Sequence, residues 1–218
     1  DQAKFPAYLD DYAYLLDALI ESLQTKWHTQ HLHFAIQLAD QLLEYFFDND
    51  HGGFFFTAND HEKLIYRPKP MADDATPSGN GIASFALQRL GWLLGENRYL
   101  SAAEATLHNA WEMLSKAPHG HVTLINTLEE YLEHPEIIII RGNHDEIQKW
   151  QQATNKIYSP RRMIFAIPST EKELPSSLGI RKSIKDKVVA YHCKGNHCSK
   201  PISSFEELLS LITETDKA

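Results

Sequence analysis

Leu124-Ile-Asn-Thr-Leu-Glu-Glu-Tyr-Leu-Glu-His-Pro-Glu-Ile-Ile-Ile-Ile-Arg141 carries two periods in one stretch. Leu124, Ile125, Leu128 and Leu132 recur at helical spacing, and His134-Pro135 ends the pattern, because the residue before a proline is pushed out of the α region. Glu136 to Arg141 then reads as a buried strand; its isoleucine run has the length of a core strand and falls far short of a bilayer span. Pro135 is therefore read as a boundary between a helical domain over residues 1–135 and a small α/β module over 136–218. The expected fold class is mainly α.

Upstream of this stretch the helical period holds. Asp10-Asp11 precede Tyr12, Leu15, Leu16, Leu19 and Leu23, with an acidic start that suits orphan amides and the helix dipole. A second helix runs from Leu32 through Phe46 to the turn residues Asp48-Asn-Asp-His-Gly-Gly53, completing a helical hairpin. After a polar loop, Ser78 opens a third helix that Gly95-Glu-Asn97 ends, and Tyr99 to Leu114 make an alanine-rich fourth. Downstream, Asp145 to Thr154 reads as a helix, Arg162 to Ile167 and Val188 to His192 as strands, and Phe205 to Ile212 as a closing helix.

Composition narrows the function classes. At 43% hydrophobic and 23% charged residues the chain has globular content, and its net charge of −8 opposes nucleic acid and anionic membrane surfaces. Only Arg161-Arg162 and Lys182 to Lys187 are locally basic. Two cysteines exclude a disulfide scaffold and suit a reducing, cytoplasmic compartment, with one bridge between them left open, and no apolar run spans a membrane, so a soluble protein is expected. The opening Asp1-Gln-Ala-Lys lacks a methionine, which reads as a processed or trimmed chain or a fragment.

Leu9-Asp-Asp-Tyr-Ala13, Asp50-His-Gly-Gly-Phe-Phe55, Arg67-Pro-Lys69, Asp74-Ala-Thr-Pro-Ser-Gly-Asn80 and, in the tail, Pro135-Glu-Ile-Ile-Ile139 and Ala190-Tyr-His-Cys193 with Cys198 and Pro201 resemble the thioredoxin-domain-containing proteins of the spermatogenesis-associated type. The resemblance covers nearly the whole chain. It implies an (α/α)6 toroid similar to the N-acylglucosamine 2-epimerases and six-hairpin glycosidases, placed after a thioredoxin-like domain. The five helices read here make up about half of such a toroid, so the chain is expected to begin inside it. An open half-barrel exposes apolar helix faces, which would be masked by the absent N-terminal segment or by self-association.

The same resemblance places these motifs at the toroid's polar mouth. Asp11, Asp73 and Asp74 are then the acid/base candidates, with the neighbouring pairs Asp10-Asp11 and Asp73-Asp74 able to split carboxyl pKa values. Arg67, Lys69, Ser78 and Asn80 would orient a sugar-like small molecule, Tyr12, Phe54 and Tyr66 would stack on it, and His51 matches the histidine proton transfer of similar epimerases. A sugar isomerase, epimerase or glycosidase-like activity would belong to the full-length protein. The plain structural reading of each residue is a helix cap or a loop ion pair.

His28 and His31 lie at a helix start while His33 falls on another face, and all three read as solvated, so no metal is assigned, and no cofactor. His119-Gly-His121 reads as a turn, and Gly142-Asn-His-Asp145 as a strand-to-helix turn without a phosphate-binding pattern. Cys193-Lys-Gly-Asn-His-Cys198 is read first as packed or free thiols. The alternatives are a disulfide or thiol exchange with the thioredoxin-like domain, making the chain a redox-linked interaction module, and a metal site completed by His192 and His197.

Overall fold

The computed structural model describes residues 6–62, 65–184 and 187–215. The opening Asp1 to Lys4 and the centre of the Lys182 to Lys187 stretch lie outside the described residues. The fold is mainly α with a small α/β module: eight α-helices and one four-stranded sheet among the described residues. The chain divides into two compact units. The first gathers the described residues up to Glu21 with Leu32–Trp92 and Glu96–Glu133; the second gathers Ser22–His31, Leu93–Gly95 and the described residues from His134 onward.

Most of α1 (Leu9–Thr25) belongs to the first unit, where it buries Leu9, Ala13, Leu16 and Ile20 on one stripe, the helical period of its sequence made physical. α2 (Thr29–Gln41) continues into a single π-helical turn, Leu42–Phe46, whose wider loop re-aims the chain into the Asp48–Gly53 turn. α3 (Gly79–Leu94) stops where Gly95 takes φ +70°, a backbone that suits glycine at a helix end. α4 (Asn97–Lys116) leads through a 3₁₀ turn, Pro118–Gly120, to α5 (Val122–Leu132). Leu107, Ala110, Leu114, Leu124 and Met71 close one part of this core.

The second unit is built on β1 (Glu136–Gly142), every residue of which is buried. It lies between two neighbours, parallel to β2 (Arg162–Pro168) and antiparallel to β3 (Val189–Lys194), and its burial on both faces explains an uninterrupted apolar run where a strand with one wet face would alternate. The crossover between β1 and β2 is α6 (His144–Thr154), capped by Asn143 accepting from the Glu146 amide at 3.0 Å. A short α7 (Ser176–Gly179) precedes β3, a hairpin joins β3 to β4 (His197–Cys198), and α8 (Phe205–Thr215) lays Leu208 and Ile212 on Ile138, Ile140 and Ile164.

Candidate functional site

Asp48-Asn-Asp-His-Gly-Gly53 forms a tight turn because its two glycines can do what other residues cannot. Gly52 and Gly53 have φ +75° and +78°, and a Cβ on Gly52 would lie 2.3 Å from the Ala105 carbonyl oxygen of α4. The backbone thus rests directly on a helix. Asp48 organises the turn: its Oδ1 accepts from the amides of Asp50 (3.0 Å) and His51 (3.3 Å), and its Oδ2 accepts from Lys69 Nζ at 2.6 Å. Lys69 also donates to the Gly52 carbonyl at 3.0 Å. Burial alone would raise the Asp48 pKa, but the Lys69 bond and the two amides outweigh it and hold the carboxyl at about 2.

Beside this turn lies an open groove of about 590 Å³. Its apolar floor is Leu43, Phe47, Ala102 and Ala105, and its polar rim is Asp48, Asp50, His51, Arg98, Ser101 and His108. Arg98 is held in place by Asp40 at 2.8 Å and Glu96 at 3.3 Å, and lies over the Tyr99 ring at 4.6 Å. The Tyr99 hydroxyl donates to Asp40; burial and that carboxylate raise its pKa, keeping it a donor. His51 is 74% exposed and stands 3.5 Å from Asp48. Ligand atoms of Asp48, Asp50 and His51 lie within 4.8 Å of one another, a spacing suited to a cation. Lys69 already supplies a positive charge to the one buried carboxylate of that group.

The motif residues expected at the mouth serve mainly to hold loops. Asn80 is fully buried: its Oδ1 accepts from the Phe54 amide at 2.6 Å, and its Nδ2 donates to the carbonyls of Phe54 and Pro70, each at 2.9 Å. Phe54 is itself fully buried, 5.2 Å from Phe47, so its ring is core. Asp73 accepts from the Ser78 amide (2.8 Å) and the Thr123 amide (2.9 Å), joining the starts of α3 and α5. Burial opposes these bonds but they prevail and lower its pKa, which keeps Asp73 an acceptor. Ser78 caps α3 through the Gly81 amide at 3.1 Å, and Arg67 donates to the Thr57 carbonyl while lying 4.1 Å over Phe55.

Asp11 accepts from the Tyr8 amide at 2.8 Å, closing the start of α1. Its neighbour Asp10 is the carboxyl with a raised pKa, by burial and then by the Asp11 charge, and lies against Gly79. Tyr12 packs 5.1 Å from Phe46, while Asp74 and Tyr66 are exposed. Of the expected site residues, His51 alone lines the groove, with Lys69 bracing it from behind.

Two features escaped sequence reasoning. Arg98, Ser101, Ala105 and His108 occupy one stripe of α4 at i, i+3, i+7 and i+10, and that small and polar stripe was a usable signal. The second had no sequence signal. Arg89 pairs with Glu130 (2.6 Å) and Glu21 (2.9 Å), and Asp17 beside them is pushed up to about 6 by burial and the Glu21 charge, against the pull of Arg89.

The first reading of the cysteines gives way to one of its alternatives. Cys193 and Cys198 are joined in a disulfide, in place of packed or free thiols, because the β3–β4 hairpin makes them direct cross-strand partners.

No protein-family model matches the chain. It is 25% identical over 213 residues to spermatogenesis-associated protein 20 of Homo sapiens, a match covering 94% of this chain and 27% of that protein. The same protein from Rattus norvegicus gives the same identity and coverage. An uncharacterized protein of Caenorhabditis elegans is 25% identical over 212 residues, 95% of this chain and 29% of its own length. The chain therefore spans little more than a quarter of the curated relatives it matches.

Proposed function

We propose that this chain is a segment of a protein of the spermatogenesis-associated type, that residues 1–135 form part of an α/α toroid followed by a terminal module over 136–218, and that the α4 groove binds a polyhydroxylated small molecule such as a sugar. The family reading is supported by similarity along 94% of the chain. Support for the toroid comes from the alternation of helices. The odd ones, α1, α3 and α5, share a polar seam in which buried Ser84, Gln88 and Arg89 meet Thr127 and Glu130, and Arg89 reaches Glu21 at the seam's exposed edge. A ring of hairpins places every second helix on its inner side.

The observation that carries the ligand reading is the groove's composition: carboxylates, imidazoles, a braced guanidinium and a hydroxyl around a small apolar floor. Sugars take this mixture, with hydroxyls on the rim and the apolar ring face on the floor. Binding, more than catalysis, is the reading supported, since Asp73 and Asp11 are engaged as acceptors for amides at helix starts. The test is a titration of hexoses, N-acylhexosamines and sugar phosphates followed by amide and side-chain NMR. Shifts are expected at Asp50, His51, Ser101 and His108, abolished by Arg98→Ala. Shifts absent from these residues at millimolar ligand would refute the groove as the site.

A further inference from the structure

The β3–β4 hairpin holds its two sulfurs in unequal surroundings. Cys193 is 5% exposed on β3, whereas Cys198 is exposed on β4. Gly195-Asn196 is the two-residue loop between them, with Gly195 at φ +56°, and it sets Cys193 opposite Cys198. A third residue joins the pair from outside the hairpin. Arg181 Nη2 lies 2.8 Å from Cys198 Sγ and 3.6 Å from Cys193 Sγ, while its Nη1 donates to the Ser177 carbonyl of α7. A guanidinium fixed on a disulfide gains little from the neutral bond and much from the thiolate that reduction leaves.

From this arrangement we infer that Cys193, Cys198 and Arg181 form a thiol–disulfide exchange site for low-molecular-weight anionic thiols and their disulfides. Exposure selects Cys198 as the sulfur that is attacked. An external thiolate bonds to Cys198 Sγ, the S–S bond breaks, and its electron pair leaves on Cys193 Sγ, 3.6 Å from the guanidinium. A second external thiolate then attacks the external sulfur of that mixed disulfide, and the pair leaves on Cys198 Sγ, 2.8 Å from Arg181. Two thiols become one disulfide, the protein disulfide becomes two thiols, and the two protons pass to the cysteines through solvent. Run backwards, Cys198 attacks a small disulfide and Cys193 resolves the adduct.

The preference for an anionic partner rests on local charge. Across a chain of net charge −8, residues 188–200 contain Lys194 and Lys200 and no aspartate or glutamate; Arg181 adds its charge at the sulfurs, and the buried carboxylate of Glu136, opposite Lys194 in the sheet, is paired with Arg162 at 2.8 Å. A carboxylate-bearing thiol peptide is therefore drawn where most anions are repelled.

The experiment uses the full chain in graded mixtures of glutathione and glutathione disulfide, quenched with acid and read by mass spectrometry. Reversible opening of Cys193–Cys198 without denaturant is expected. Cys193→Ser with glutathione disulfide is expected to collect one adduct on Cys198, and Cys198→Ser to react far more slowly at Cys193. Arg181→Met should move the midpoint about tenfold toward more glutathione, with Arg181→Lys restoring most of it. Glutathione should also reduce the bond faster than uncharged 2-mercaptoethanol, an advantage that high salt removes. A disulfide that opens only in urea, equal adduct rates in the two serine variants, or a midpoint within twofold in Arg181→Met would each overturn the inference. Equal rates for the two thiols would overturn the anionic preference. If Arg181→Met does not fold, the two serine variants decide the case.

Discussion

Asn80→Ala isolates what the central motif residue contributes. The side chain is fully buried and makes three bonds to backbone groups, to the Phe54 amide at 2.6 Å and to the Phe54 and Pro70 carbonyls at 2.9 Å. Removing it strands the Phe54 amide and carbonyl in the core and leaves the Pro70 carbonyl unpaired in a part-buried position. At roughly 1–1.5 kcal/mol for each bond, the loss is about 3–4.5 kcal/mol. With a urea slope on the order of 2 kcal/mol/M, the midpoint of the transition reporting the helical unit should fall by about 1.5–2 M. Asn80→Asp is the sharper control. It is nearly isosteric and keeps the acceptor for Phe54, yet it turns the amide donor into a second acceptor facing two carbonyls. It should be at least as damaging as alanine. The measurement is urea unfolding followed by tryptophan fluorescence and circular dichroism, with hydrogen exchange at the Phe54 amide. A midpoint within 0.3 M of the parent for Asn80→Ala, with that amide still protected, would refute the bracing role.

Other expected outcomes follow from the same geometry. Gly52→Ala sets a Cβ 2.3 Å from the Ala105 carbonyl at φ +75°, so it should cost about 2 kcal/mol or more and abolish ligand-induced NMR shifts in the groove. Asp48 has a carboxyl pKa of about 2 against an ordinary 3.8, so its share of stability is present above pH 4 and is lost as the pH falls from there through 2. Lys69→Met should narrow that window by letting the Asp48 pKa climb, as carboxyl NMR titration would record. Asp17 runs the other way: with its pKa raised to about 6, stability is lost as the pH rises from 3.8 through 6. Asp17→Asn should therefore add about 1 kcal/mol at pH 7 and remove a carboxyl titration near pH 6.

Local order explains what the sequence made legible. The helices α1 to α5 follow from apolar spacing, and β1 follows from an isoleucine run bounded by Pro135, because both depend on neighbours along the chain. Asn80 was legible as a motif member but not as a brace, since its partners Phe54 and Pro70 are 26 and 10 residues away. Asp17 and Glu21 stand on the polar side of α1, and nothing along the chain ties them to Arg89 of α3 and Glu130 of α5, whose arrival makes that side a half-buried charge cluster. The disulfide stood closer to the surface of the text. Gly195-Asn196 between two cysteines is a two-residue hairpin signal, and reading it would have set the cysteines opposite each other.

The distinction between braces and groove residues bears on how the motif resemblance is weighed. Asn80, Asp73, Ser78 and Arg67 satisfy backbone amides and carbonyls that irregular loops would otherwise bury unpaired. Their hydrogen-bonding capacity is spent inside the protein, and a ligand competing for it would have to dismantle the loops. Under the proposed reading, recognition instead falls to exposed groups mounted on those loops and on α4: Asp50, His51, Arg98, Ser101 and His108. The two sets meet at Lys69, whose single ammonium fixes Asp48 and Gly52 directly behind His51. A chain can therefore share the bracing motifs with a relative, and so share the loop architecture, while the chemistry on the rim differs. Likeness in the Arg67 to Asn80 segment is thus an argument for a common scaffold, and the substrate must be argued from the α4 stripe.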